Sequence, residues 1–105
     1  MIATSIAAAL MMMMQAASAD RSAYVTCLKD AVVSAKNANV SVDAFKVYAH
    51  KTCASVEEGL KSKLVTFNVK NGMSKKAAAE DAQLQLEDYV FTAEDKYRYS
   101  VEAPK

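Results

Sequence analysis

Residues 41–72 read SVDAFKVYAHKTCASVEEGLKSKLVTFNVKNG, and this stretch decides the fold. Val42, Phe45, Ala49, Cys53, Val56, Leu60, Leu64 and Phe67 recur at steps of three and four. At about 100° per residue they fall within roughly a third of a helix circumference, the pattern of an amphipathic helix. No sustained period of two competes with it. Ser41 offers a side-chain oxygen to a free N–H of the first turn, and Asp43 suits the positive end of the helix dipole. Asn71-Gly72 is the stop signal, because Gly takes the left-handed position beyond a helix end. The spacing predicts one long helix over about 42–71, with Gly59 as the expected place for a bend or a division.

The preceding segment predicts a helix over about 22–37. Its stripe is Tyr24, Cys27, Leu28, Ala31, Ala35 and Ala38. Asn37 and Asn39 suit the following turn, since Asn tolerates left-handed angles. The segment after Gly72 predicts a third helix over about 75–99, capped by Ser74, with Met73 and Ala78 placed for a hydrophobic staple. Ala79, Ala82, Leu86, Tyr89, Val90, Ala93 and Tyr97 form its inward stripe. The pairs Glu80/Asp81, Glu87/Asp88 and Glu94/Asp95 repeat every seven residues and fall on the other side. The fold expected is all-α, a three-helix antiparallel bundle of about 22–37, 42–71 and 75–99. Residues 100–105, with Pro104, are expected as a flexible tail.

The first nineteen residues stand apart from this scheme. Met1 to Ala19 carry no charged side chain, and Ile6 to Met14 form an unbroken apolar run. Ala17-Ser18-Ala19 supplies the small-x-small pattern of a signal-peptidase site, and Asp20 opens a charge-rich sequence. The apolar run would rise only about 14 Å as a helix, well short of the ~30 Å hydrocarbon thickness. The expected organisation is a cleaved signal peptide at 1–19 and one small helical domain at 20–105. The protein is then exported, periplasmic or secreted, with no stable membrane anchor after cleavage.

The cysteines support this. With the first turn centred near Asn39, Cys27 and Cys53 lie roughly 18 and 21 Å from it at ~1.5 Å per residue. Antiparallel helices would set them at nearly equal height, within reach of a disulfide. An even cysteine count in an exported chain points the same way. One intramolecular Cys27–Cys53 disulfide is expected.

Composition narrows the chemistry. The chain has 105 residues, with two Gly and one Pro, too little turn punctuation for an all-β sandwich or barrel. Thirteen Lys+Arg balance twelve Asp+Glu, which gives no bulk attraction to nucleic acid, and none is expected as a partner. His50 is the sole histidine, and no Cys-x-x-Cys spacing accompanies it. No Gly-x-Ser-x-Gly turn or phosphate-cradling loop is present. No catalytic residue, metal site or cofactor is expected. The lysines from Lys46 to Lys76 make the second helix basic and are expected to attract the acids of the third.

One feature of the third helix points outward to a partner. Leu84 and Phe91, seven residues apart, fall on its outer side with Glu87 and Asp88 beside them. They form the candidate partner surface, able to receive a basic, apolar segment. Val47, Val65 and Val69 are a comparable strip on the second helix. The functional expectation is a small exported non-catalytic interaction protein, monomer or weak homodimer, with a protein partner. A stress-protective, chaperone-like periplasmic protein is the alternative. A small enzyme is the remaining reading, and no nucleophile–base pair can be assembled for it.

Overall fold

The computed structural model describes the backbone of residues 2–102 and the side chains of residues 17–102. Four α-helices account for nearly all of it: α1 (Ile2–Asn37), α2 (Phe45–Thr52), α3 (Ala54–Lys70) and α4 (Lys75–Glu102). A 3-10 turn at Val42–Ala44 leads into α2, and no strand occurs among the described residues. Residues 1–16 of the expected signal peptide and 103–105 of the expected tail lie outside the described side chains.

Both interhelical turns close in the same way. Asn39 takes φ 56° and Gly72 takes φ 101°, each just past a helix end. The N–H of Val40 donates to Ala35 and that of Asn39 to Lys36, while Met73 donates to Asn68 and Gly72 to Val69. These paired bonds satisfy carbonyls that a helix end leaves free. The expected caps also form. Ser41 Oγ accepts from the Ala44 N–H at 3.2 Å and Ser74 Oγ from the Ala77 N–H at 3.1 Å.

Side-chain contacts fix how the helices run. Asp20 meets Lys63, Cys27 meets Cys53 and Ser34 meets Tyr48, so residue numbers fall along one partner as they rise along the other. The chain from 45 to 70 is therefore antiparallel to α1. Arg21 reaches Gln85 and Lys36 reaches Ser100, both 64 residues apart, which sets α1 and α4 parallel. With α3 antiparallel to α1 and α1 parallel to α4, α3 and α4 run antiparallel, and Asn68 on α3 contacts Ala78 and Asp81 across their seam.

The core collects Tyr24, Leu28, Ala31 and Ala35 of α1, Phe45 and Ala49 of α2, Leu60 and Leu64 of α3, and Ala82, Leu86, Val90, Ala93 and Tyr97 of α4. Cys53 is buried among them. Phe45 stacks on Tyr97 with ring centroids 4.6 Å apart, and the Tyr97 hydroxyl donates to the Val40 carbonyl. A stacked, hydrogen-bonded tyrosine thus anchors the first turn to the far end of α4.

Several boundaries differ from those read in the sequence. The first helix begins at Ile2 rather than Ser22, so one helix runs through the expected cleavage point. The stretch 42–71 is not one helix bent at Gly59. It divides at Cys53, where φ is −106° and ψ is 17°, and α3 passes straight through Gly59. Cys53 is tied to α1, and this tether accompanies the departure from helical angles. The final helix extends to Glu102, so helix replaces the first part of the expected tail. Ala38 is exposed, and Val65 packs against the core instead of joining an outer strip. No lysine of α2 or α3 forms an ion pair with an acid of α4 among the described residues. Lys63 pairs instead with Asp20 at 2.8 Å.

Candidate functional site

Cys27 and Cys53 lie at disulfide distance, with Cα atoms 5.9 Å apart. The linkage joins the C-terminal half of α1 to the junction of α2 and α3. Next to that junction, His50 Nδ1 sits 3.0 Å from one Glu57 carboxylate oxygen and 3.1 Å from the other. Seven residues of uninterrupted helix would separate these side chains by about 10 Å along the axis. The break at Cys53 lets them meet, and the pair clasps α2 to α3.

Tyr24 is the neighbour of this cluster on α1. Its side chain is fully buried and its hydroxyl has no hydrogen-bond partner. Burial first, and the Glu57 carboxylate second, hold its phenol well above the ordinary range for a tyrosine. The ring meets Tyr89 edge-on with centroids 5.9 Å apart, an apolar use of the residue.

The four residues expected as a partner surface come together on α4. Leu84 is 63% exposed and Phe91 61% exposed, among the most open large apolar side chains of the chain. Glu87 and Asp88 lie between them in sequence and are also exposed. All four line a concavity of about 410 Å³ that α2 completes with Lys46 and His50, over buried Val90. Lys46 Nζ lies 5.9 Å from the centroid of the Phe91 ring, within the range of a cation–π contact.

Lys46 and His50 were not legible as members of this site. They lie four residues apart and so share a face of α2, but nothing in their own segment indicates which helix that face meets. The concavity carries both signs of charge, with a cation and an imidazole on one wall and two carboxylates on the other. His50 thereby joins two features, since its ring also binds Glu57 on the side of α3.

Asn68 is a further residue that sequence reasoning missed. It is buried, and its Nδ2 donates to the Ala78 carbonyl at 3.3 Å and to Asp81 Oδ2 at 3.0 Å. Asp81 also accepts from Gln85 at 2.9 Å. This polar group ties the end of α3 to the start of α4 and occupies one of the acids of the heptad series. Among the described residues, no three His, Cys, Asp or Glu side chains converge in a metal-binding arrangement. Within residues 17–102, no helix is long and apolar enough to cross a membrane.

The chain matches no protein-family model, no curated protein and no solved structure.

Proposed function

We propose that this is a small exported interaction protein, non-catalytic, acting in the cell envelope or the secreted space. In this reading residues 1–19 are a cleaved signal peptide. Residues 20–105 work as a three-helix antiparallel bundle that presents the Leu84/Phe91 face to a protein partner. The observation that carries the proposal is that face. Two large apolar side chains stand open in one concavity, and a partner that covers them gains the hydrophobic free energy of removing that surface from water. The surrounding Lys46, Glu87 and Asp88 give the rim charges that steer and orient a partner rather than supply most of the affinity. The Cys27–Cys53 pair supports export, because such linkages persist in oxidising compartments.

Capture on the immobilised protein tests this, comparing the parent with the double variant Leu84→Lys, Phe91→Lys. The variant is expected to lose one specific partner while its circular dichroism is unchanged. Retention of the same partner by the variant removes this face from the reading.

The chaperone-like reading is favoured by one specific observation, the carboxylates of Glu87 and Asp88 beside the exposed Leu84 and Phe91. Protonation at low pH would strip the charge from that border and enlarge the apolar surface. It predicts suppression of client aggregation at about pH 3 and little at pH 7. Equal suppression at both values, or none at either, counts against it.

A further inference from the structure

A second concavity lies between α1 and α4, away from the Leu84/Phe91 face. It encloses about 350 Å³, within the usual size of small-molecule sites. This seam is packed less extensively than those of α3 with α1 and with α4. Buried Leu28 and Ala93 form the floor, and half-buried Val25, Val32 and Tyr89 form the walls. Lys29 and Lys96 are the only charged groups lining it. Both are exposed, and neither forms an ion pair among the described residues.

The arrangement has direction. Since α1 and α4 run parallel with a 64-residue offset, Val25 stands beside Tyr89 and Val32 beside Lys96. Among the lining residues the end near Val25 and Tyr89 is uncharged, and the two ammonium groups gather from the middle toward the other end. The stretch from Val25 to Val32 rises about 10 Å at ~1.5 Å per residue. At about 30 Å³ for each water-sized group, the volume takes roughly a dozen heavy atoms. That is the size of one acyl chain and too little for a docked helix, which is ~10 Å across.

We propose that this groove binds a free fatty acid of medium chain length. The tail would lie on Leu28, Ala93 and the valines, and the carboxylate would sit between Lys29 and Lys96. A chain that is near neutral overall, at net +1, concentrates two unopposed cations on one apolar groove. An anionic head with an apolar tail complements both.

The test uses methyl NMR of the protein titrated with decanoate, decanol and decyltrimethylammonium. Decanoate is expected to move the Val25, Val32 and Ala93 methyls saturably at one equivalent. The two other amphiphiles are expected to bind about tenfold more weakly. Lys29→Glu with Lys96→Glu should weaken decanoate about tenfold and reverse the preference toward the ammonium. Thr92→Trp, at the exposed mouth, should block all three while circular dichroism stays unchanged. Equal binding of the three amphiphiles overturns the proposal. So do movement of the Leu84 methyls instead, full binding by the Thr92→Trp variant, binding to anionic phospholipid vesicles alone, or no saturable shift up to about 1 mM.

Discussion

Cys27 faces Cys53 with their Cα atoms 5.9 Å apart, and Cys53 is also the single residue that divides α2 from α3. One residue therefore both ties the two arms of the first hairpin together and interrupts the second arm. Linking residues 26 apart should stabilise the fold by about 3.5 kcal/mol on the loop-entropy model. Intact mass before and after reduction checks the covalent side of this. The expected mature protein begins at Asp20 and takes two alkyl groups only after reduction. Its denaturation midpoint should fall clearly on reduction. A mass beginning at Met1, with both thiols alkylated without reduction, contradicts export and the staple together.

Tyr24 makes a prediction with a defined sign. Its hydroxyl is buried and unpartnered, so Tyr24→Phe should leave stability at pH 7 unchanged or slightly higher, within about 0.5 kcal/mol. The raised phenol favours the protonated folded state. Its contribution is fully present below the ordinary tyrosine value of about 10 and is lost as the pH climbs above it, where only the unfolded chain ionises. The variant should lose stability less steeply above that point, by up to ~1.4 kcal/mol per pH unit. Denaturant titrations at neutral and alkaline pH provide the comparison. A loss above about 1 kcal/mol at pH 7 would mean that the hydroxyl has a partner in solution.

Leu84 and Leu86 are two residues apart on α4 and have opposite surroundings. Leu84 is 63% exposed, whereas Leu86 is fully buried in the core. Leu86→Ala is expected to cost about 2–5 kcal/mol, and Leu84→Ala no more than about 0.5 kcal/mol. Equal losses in urea denaturation would place Leu84 in a buried contact and withdraw it from the partner face.

The two glycines should respond in opposite directions to alanine. Gly59 lies in the interior of α3, and a Cβ there meets nothing within 4 Å. Gly59→Ala is expected to stabilise by about 0.5–1 kcal/mol through helix propensity. Gly72 closes the second turn with φ 101°, where a side chain is strained, so Gly72→Ala should destabilise by about 1 kcal/mol or more. Thermal melts of the two variants check both signs. Destabilisation by Gly59→Ala would mean that α3 is interrupted where the structure shows it continuous.

The contrast between these glycines also marks how far the sequence could be read. Helical stripes were legible because burial follows the 3.6-residue period. Tyr24, Leu28, Phe45, Leu60, Leu64, Leu86 and Tyr97 lie in the core on that ground. The turn residues Asn39 and Gly72 and the caps Ser41 and Ser74 were legible because their chemistry is local. The division at Cys53 was not, since it coincides with a long-range tether and local punctuation pointed to Gly59. The His50–Glu57 clasp depends on that division and was hidden with it. Asn68 interrupts an apolar stripe as a polar residue, and its partners Ala78 and Asp81 belong to another helix. On the candidate site, Leu84, Phe91, Glu87 and Asp88 were visible from α4 alone. Lys46 and His50 required knowing which face of α2 packs beside them.

The proposed function requires that Leu84 and Phe91 meet a partner. A photoreactive phenylalanine analogue in place of Phe91 tests it most directly, with the same analogue in place of Val33 as the control. Val33 is 61% exposed on α1, as open as Phe91. A single adduct is expected in the exporting host from position 91, lost when Leu84→Lys is added and absent from position 33. The same adducts from both positions, or none from position 91, would contradict it.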